Sequence, residues 1–161
     1  MVYLILLIAQ LLQPAPLYVV SPDFEDGGSI PAHCTCDGAN NQPTLIVHGI
    51  PEAAKSLTLI VDGAQSSASE WLVWNIPPEE TLDELTLVGG KEAEIKRTYR
   101  GLCPESGVVQ TYAFKVYALD TLLELPDNAG RVELETAMEN HILASGELRG
   151  NYSRSMVTGR R

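Results

Sequence analysis

Positive charge is scarce in this sequence. Lys and Arg number 11 against 21 Asp and Glu, a formal charge of −10. A phosphate-backbone partner needs a basic footprint, so nucleic-acid binding is excluded. The same sign disfavours adsorption to an anionic membrane surface. Cysteine is sparse too: Cys34, Cys36 and Cys103 are too few for a disulfide scaffold. They allow one bridge with one thiol left over. Cys34 and Cys36 make a poor pair, because one intervening residue closes a strained ring. Cys36–Cys103 is the better bridge in an oxidising compartment, and buried free thiols acting as small apolar residues are an equal reading. The apolar stretch Met1–Leu12 is too short to span a membrane, so no integral span is expected. Chemical motifs are missing as well. There is no G-x-S-x-G elbow, no Walker loop and no G-x-G-x-x-G. The 3 histidines, at 33, 48 and 141, are too scattered to specify a catalytic triad.

What is present is one domain's worth of chain, 161 residues, organised around Leu57–Pro78. The apolar runs Leu57–Val61 and Trp71–Ile76 have strand length and strand composition. The polar loop between them carries acids only at its ends, Asp62 and Glu70. Loops held by a rigid sheet commonly carry binding groups. Further strands are expected at Leu17–Val20, Thr44–His48 and Val108–Leu119, the last covered on both faces. Residues 79–98 read as an exposed loop. Met1–Leu12, followed by Gln13-Pro14-Ala15-Pro16, has the length of a secretion-signal core. The expected division is therefore 1–16 as signal peptide or apolar extension, 17–154 as the domain, and 155–161 as a polar tail. The chain is extracytoplasmic if Met1–Leu12 is a signal and cytoplasmic otherwise.

Near the end, Leu134, Ala137, Met138, His141, Ile142 and Ser145 recur at helical spacing, with Gly146 as a stop. This predicts a C-terminal helix with His141 packed on its apolar face, then a short last strand at Leu148–Tyr152. His48 is expected at the edge of a packed strand. His33, Cys34, Cys36 and Cys103 could supply four nitrogen and sulfur ligands to zinc, but their spacing is not that of a zinc finger. The reading taken is no metal, no cofactor and no catalytic residue.

Five segments in order resemble the phosphatidylethanolamine-binding protein family, in particular its YbhB/YbcL-type, Raf-kinase-inhibitor-like branch. They are SPDFEDGGSIPAHCTCDGANNQPTL at 21–45, the Leu57–Pro78 stretch, YRGLCPESG at 99–107, YAFKVYALD at 112–120, and MENHILASGELRGNYSR at 138–154. The resemblance implies a mainly β sandwich, with a large antiparallel sheet packed on a smaller one and a C-terminal helix. It also implies a pocket for a small anion or phospholipid head group. In this sequence that pocket maps to Asp62, Gly63, Glu70, Trp71, Tyr99, Gly101, Cys103, Pro104, Glu105, Gln110 and Tyr112.

The chain departs from the family pattern at several of these positions. Asp62-Gly63-Ala64-Gln65 stands where Asp-Pro-Asp-x-Pro is expected, in a shortened loop. Glu70 replaces a histidine, Gly101-Leu102-Cys103-Pro104-Glu105 replaces Gly-Pro-Cys-Pro-Pro, and Gln110-Thr111 replaces His-Arg. Acids at Asp62, Glu70 and Glu105 would repel phosphate. The reading is a non-enzymatic binding protein with an altered pocket, its anion binding in doubt and its small-molecule ligand unspecified. Two alternatives stand beside it. One is a hydrolase using Cys103 or a His/Cys metal centre. The other is a kinase or protease inhibitor acting through a protein partner. A homodimer stays open.

Overall fold

The computed structural model describes residues 15–63, 69–82, 94–95, 99, 102–126 and 129–154. Met1–Leu12, Gly101 and the 155–161 tail lie outside the described residues, as do most of residues 79–98.

Two apolar runs around a polar loop make an antiparallel pair, β5 (Ser56–Gly63) with β6 (Ser69–Ile76). Beside β5 lies the long strand β9 (Val109–Leu119), antiparallel over eight residue pairs from Ser56↔Leu119 to Gly63↔Tyr112. Its alternation is regular. Gln110, Tyr112, Phe114, Val116 and Ala118 are buried, while Thr111, Ala113, Lys115 and Tyr117 are partly exposed on the other face. Outside β9 runs β10 (Ile142–Ser153), which also accepts two short parallel strands, β1 (Ala15–Pro16) and β3 (Gly28–Ser29). β8 (Glu94–Ile95) pairs with β6, so the large sheet has seven strands among the described residues. A smaller sheet has three, in the order β2 (Tyr18–Val20), β4 (Leu45–His48) and β7 (Thr81–Leu82).

The main core contains Leu57, Leu59, Val61, Trp71, Val73, Phe114 and Val116 of the large sheet with Val19, Leu45, Val47 and Leu82 of the small one. On the opposite face of the large sheet, Ile60, Leu72, Trp74 and Leu119 pack with Leu123, Leu134 and Met138, the last two from the only α-helix among the described residues, α1 (Arg131–Met138). The mainly β, two-sheet architecture with one helix is as expected.

Four local readings are corrected. The helix stops at Met138 instead of running to Ser145, because Glu139 turns to an extended ψ of 133° and Asn140 then takes a left-handed φ of 66°. Ile142 and Ser145 belong to β10, and Leu148–Tyr152 lies in the second half of that 12-residue strand. Gly146 is no helix stop. A Cβ there would lie 2.3 Å from the Leu17 carbonyl oxygen, so a glycine lets the N-terminal segment lie against β10. His141 is not packed on a helix face. It sits in the turn before β10, its side chain 44% exposed, with Nδ1 2.7 Å from Asp120 Oδ1.

Candidate functional site

The end of the large sheet's inner face carries most of the described aromatic residues expected at the pocket. Trp71 enters from β6 and Tyr112 from β9, both almost fully buried. Tyr99 stacks edge-on against Trp71 with centroids 5.2 Å apart. Its hydroxyl donates to the Cys34 carbonyl oxygen, which anchors the turn Ala32–Cys34. Burial pushes the Tyr99 phenol well above its ordinary pKa, with Cys34 and Tyr112 adding to the effect. Buried Pro104 and Leu102 follow, and Leu102 bridges to Thr35. Gln110, also buried, lies two residues before Tyr112 on the same face. The Trp71 indole N–H is buried with no hydrogen-bond partner among the described residues, and an unpaired buried donor costs about 1–3 kcal/mol.

Cys36 and Cys103 form a disulfide with Cα atoms 5.4 Å apart, tying the two loops that border this end. That bond removes two of the four ligands in the zinc set considered from sequence. It also takes the sulfur that a Cys103 nucleophile would need. Cys34 is the free cysteine, buried, with its thiol pKa pushed up to about 11 by burial and then by Asp23. Asp37 sits by the same rim. Tyr152 Oη donates to its Oδ2 at 2.7 Å and Arg154 Nε to its Oδ1 at 3.0 Å. These contacts, Tyr152 first, hold the Asp37 carboxyl below the usual carboxylate range.

Asp62 is placed elsewhere. Val61 lies opposite Trp71 and Asp62 opposite Ser69, so Glu70 is the extra residue of a bulge. Asp62 shares the helix side of the sheet with Lys115, whose Nζ lies 3.0 Å away, and with Arg131 of α1 at 2.5 Å. A hollow of about 310 Å³ opens there, lined by Asp62, Thr111, Ala113, Lys115, Glu147 and Arg149. Glu105 is exposed, in the loop leading to β9, where its carbonyl accepts the Val108 N–H. The structure therefore gathers Trp71, Tyr99 and Tyr112 with the Leu102–Pro104 loop, and it sets Asp62 on the other face. Gly63 ends β5 opposite Tyr112. The Glu70 side chain and Gly101 lie outside the described residues.

Sequence reasoning missed one further group, Asp23 beside His33 and Cys34. His33 Nε2 is 3.5 Å from Asp23 Oδ1. No motif links a residue ten positions upstream to that turn. The close packing that brings them together depends on the turn and on Gly38, where a Cβ would lie 2.2 Å from the Ala32 carbonyl oxygen.

Comparison with known proteins agrees with this architecture. A family model described as phosphatidylethanolamine-binding protein matches residues 20–153. A UPF0098 protein of Pyrococcus abyssi is 41% identical over 150 residues, covering 84% of each chain. The crystal structure of CT736 from Chlamydia trachomatis, described as a homologue of phosphatidylethanolamine-binding protein, superposes with a TM-score of 0.75. It is 30% identical and covers 87% of this chain and 99% of its own. Escherichia coli YbcL superposes at 0.74 with 23% identity, covering 86% of this chain and 99% of its own, a likeness of fold.

Proposed function

This chain belongs to the phosphatidylethanolamine-binding protein family, and we propose that it is a non-enzymatic binding protein whose pocket takes a neutral or cationic small molecule in place of an anion. One observation carries the reading: the described basic groups at the pocket end already face carboxylates. Arg154 is held by Asp37, and His33 lies beside Asp23. On the far face of the sheet, Lys115 and Arg131 are held by Asp62. Buried Gln110 offers a neutral amide where the family pattern has an imidazole. The unpaired Trp71 N–H offers a donor to a ligand acceptor without adding charge.

Each charge-assisted hydrogen bond lost from an anion site weakens it by roughly 1.5–3 kcal/mol, and each 1.4 kcal/mol is about tenfold in affinity. Calorimetric titration with inorganic phosphate and with phosphoethanolamine tests the reading. No heat of binding is expected from either ligand with the native chain. Binding gained in a Glu70→His, Gln110→His variant would support the proposal; Thr111 lies on the other face of β9 and is left unchanged. Micromolar phosphate binding by the native chain, abolished by changes within 63–70, would overturn it.

The apolar Met1–Leu12 segment and the Cys36–Cys103 disulfide together support an extracytoplasmic location. No helix among the described residues is long and apolar enough to cross a membrane. Intact-mass measurement of protein from its native host is expected to show the first roughly 12–20 residues removed. A chain that still begins at Met1 or Val2 contradicts that location.

A further inference from the structure

Asp23, His33 and Cys34 meet at the foot of the turn Ala32–Cys34. One ligating atom from each lies within 4.8 Å of the other two. Zinc bonds to nitrogen and oxygen ligands measure about 2.0–2.2 Å, so two such ligands on a tetrahedral ion sit roughly 3.3–3.6 Å apart. The 3.5 Å between His33 Nε2 and Asp23 Oδ1 already matches that spacing.

The surroundings fix each ligand. Asp23 Oδ2 accepts the Thr44 N–H at 2.9 Å, and the Asp23 N–H donates to Ser21 Oγ at 3.1 Å. The carboxylate is thus pinned through one oxygen while the other faces His33, as outer hydrogen bonds orient metal ligands elsewhere. The Cys34 N–H donates to the Pro31 carbonyl at 3.0 Å, and the Asn41 N–H donates to the His33 carbonyl at 2.9 Å. Cys34 is fully buried, while the His33 side chain is 51% exposed. The cluster therefore has a dry wall on the sulfur side and an open side toward water. The other two cysteines are taken by their disulfide, so they do not compete as ligands.

We propose that Asp23, His33 and Cys34 bind one borderline-soft divalent cation of the zinc class, with water in the fourth position. Thiolate, imidazole and carboxylate together suit zinc better than magnesium or calcium, which prefer all-oxygen shells. On binding, the Cys34 S–H bond breaks, its proton leaves to solvent, and a sulfur–metal bond forms with no change of oxidation state. One thiolate and one carboxylate then balance the divalent charge, so little net charge is left against the apolar core. The two readings share the His33–Asp23 pair, but their tests separate them, because phosphate titration reads anion binding and metal analysis reads bound cation.

The test uses the full chain with its disulfide intact, stripped by chelator and equilibrated with zinc alone or cobalt(II) alone. One equivalent of zinc is expected, and the cobalt form is expected to show a sulfur-to-metal charge-transfer band. Cys34→Ser should abolish that band. Because Cys34 is buried and its variant could fail to fold, His33→Ala at a half-exposed position carries the decision. It should weaken zinc binding by at least about 10–100-fold, the loss seen when even an outer partner of a metal ligand is removed. His48→Ala, exposed on β4, should leave binding unchanged. Zinc retention no greater than that of an Asp23→Asn, His33→Ala double variant would overturn the proposal. So would a cobalt spectrum without a thiolate band, or a His33→Ala chain that binds as tightly as the native one.

Discussion

The two faces of the large sheet solve different problems with the same strands. On the inner face, β9 contributes Tyr112, Phe114, Val116 and Ala118 to a core continuous with the small sheet. On the outer face, the same strand contributes Thr111, Ala113, Lys115 and Tyr117. There apolar packing under α1 gives way to ion pairs around Asp62. Adjacent residues in sequence therefore do unlike work, since side chains alternate with a period of two. Asp62 stands one residue from Val61 of the core, yet its charge holds β9 and the helix, on the face opposite the aromatic residues.

The contrast is most directly broken by truncating one side chain on each face. Phe114 is fully buried and packs on Phe24 at 5.6 Å between ring centroids. Phe114→Ala is expected to cost about 3–5 kcal/mol in denaturant unfolding. Asp62→Ala on the other face strips the shared partner from Lys115 and Arg131, whose side chains are 31% and 36% exposed. Solvent screening reduces its cost to about 1–2 kcal/mol, and added salt should shrink the gap from the native chain. A loss for Asp62→Ala equal to that of Phe114→Ala would erase the distinction between the faces.

Smaller effects sharpen the comparison. His141 and Asp120 pair in the open, at 44% and 45% exposure, so His141→Ala should cost under about 1 kcal/mol in the same assay. A larger loss would restore a packed histidine. The smallest effect concerns pH. The Asp37 carboxyl is held low in the folded chain, by Tyr152 and then Arg154. Its contribution is therefore fully present above the unfolded carboxylate value, about 4, and is lost as pH falls through the lower folded value. Asp37→Asn should flatten the acid limb of a stability-against-pH curve slightly and leave neutral pH behaviour nearly unchanged. An unaltered acid limb would show that the Tyr152 and Arg154 contacts carry no linkage.

Much of the fold was legible because strand signals here are strong and local. Leu57–Val61 and Trp71–Ile76 lie within observed strands, and the Val108–Leu119 run matches β9 from Val109 on. The helix overran because Ile142 and Ser145 happen to continue the spacing begun at Leu134. A left-handed turn at Asn140 leaves no mark in a periodicity. The residues expected at the site were named without their faces. A bulge at Glu70 shifts the register by one, and a one-residue shift exchanges the two sides of a strand. Asp23 was invisible for another reason. Its neighbours His33 and Cys34 are brought to it by a turn and a glycine contact, and neither is a spacing rule.

The strand β10 takes parallel partners from near the start of the described chain, Ala15↔Ala144 and Gly28↔Gly150. Neither β1 nor β3 can find its place until residues 142–151 exist. On a ribosome that releases the chain from its N-terminus, those strands wait while the more than 100 residues between them and β10 are made. Among the described strands of the large sheet β10 is the last to emerge, and a nascent chain stalled before Ile142 leaves two strands unpartnered. Such pairings between distant ends are slow to form, because the loop between them must close before any contact rewards it. A truncation that removes β10 should therefore undo the N-terminal edge as well as the C-terminal one.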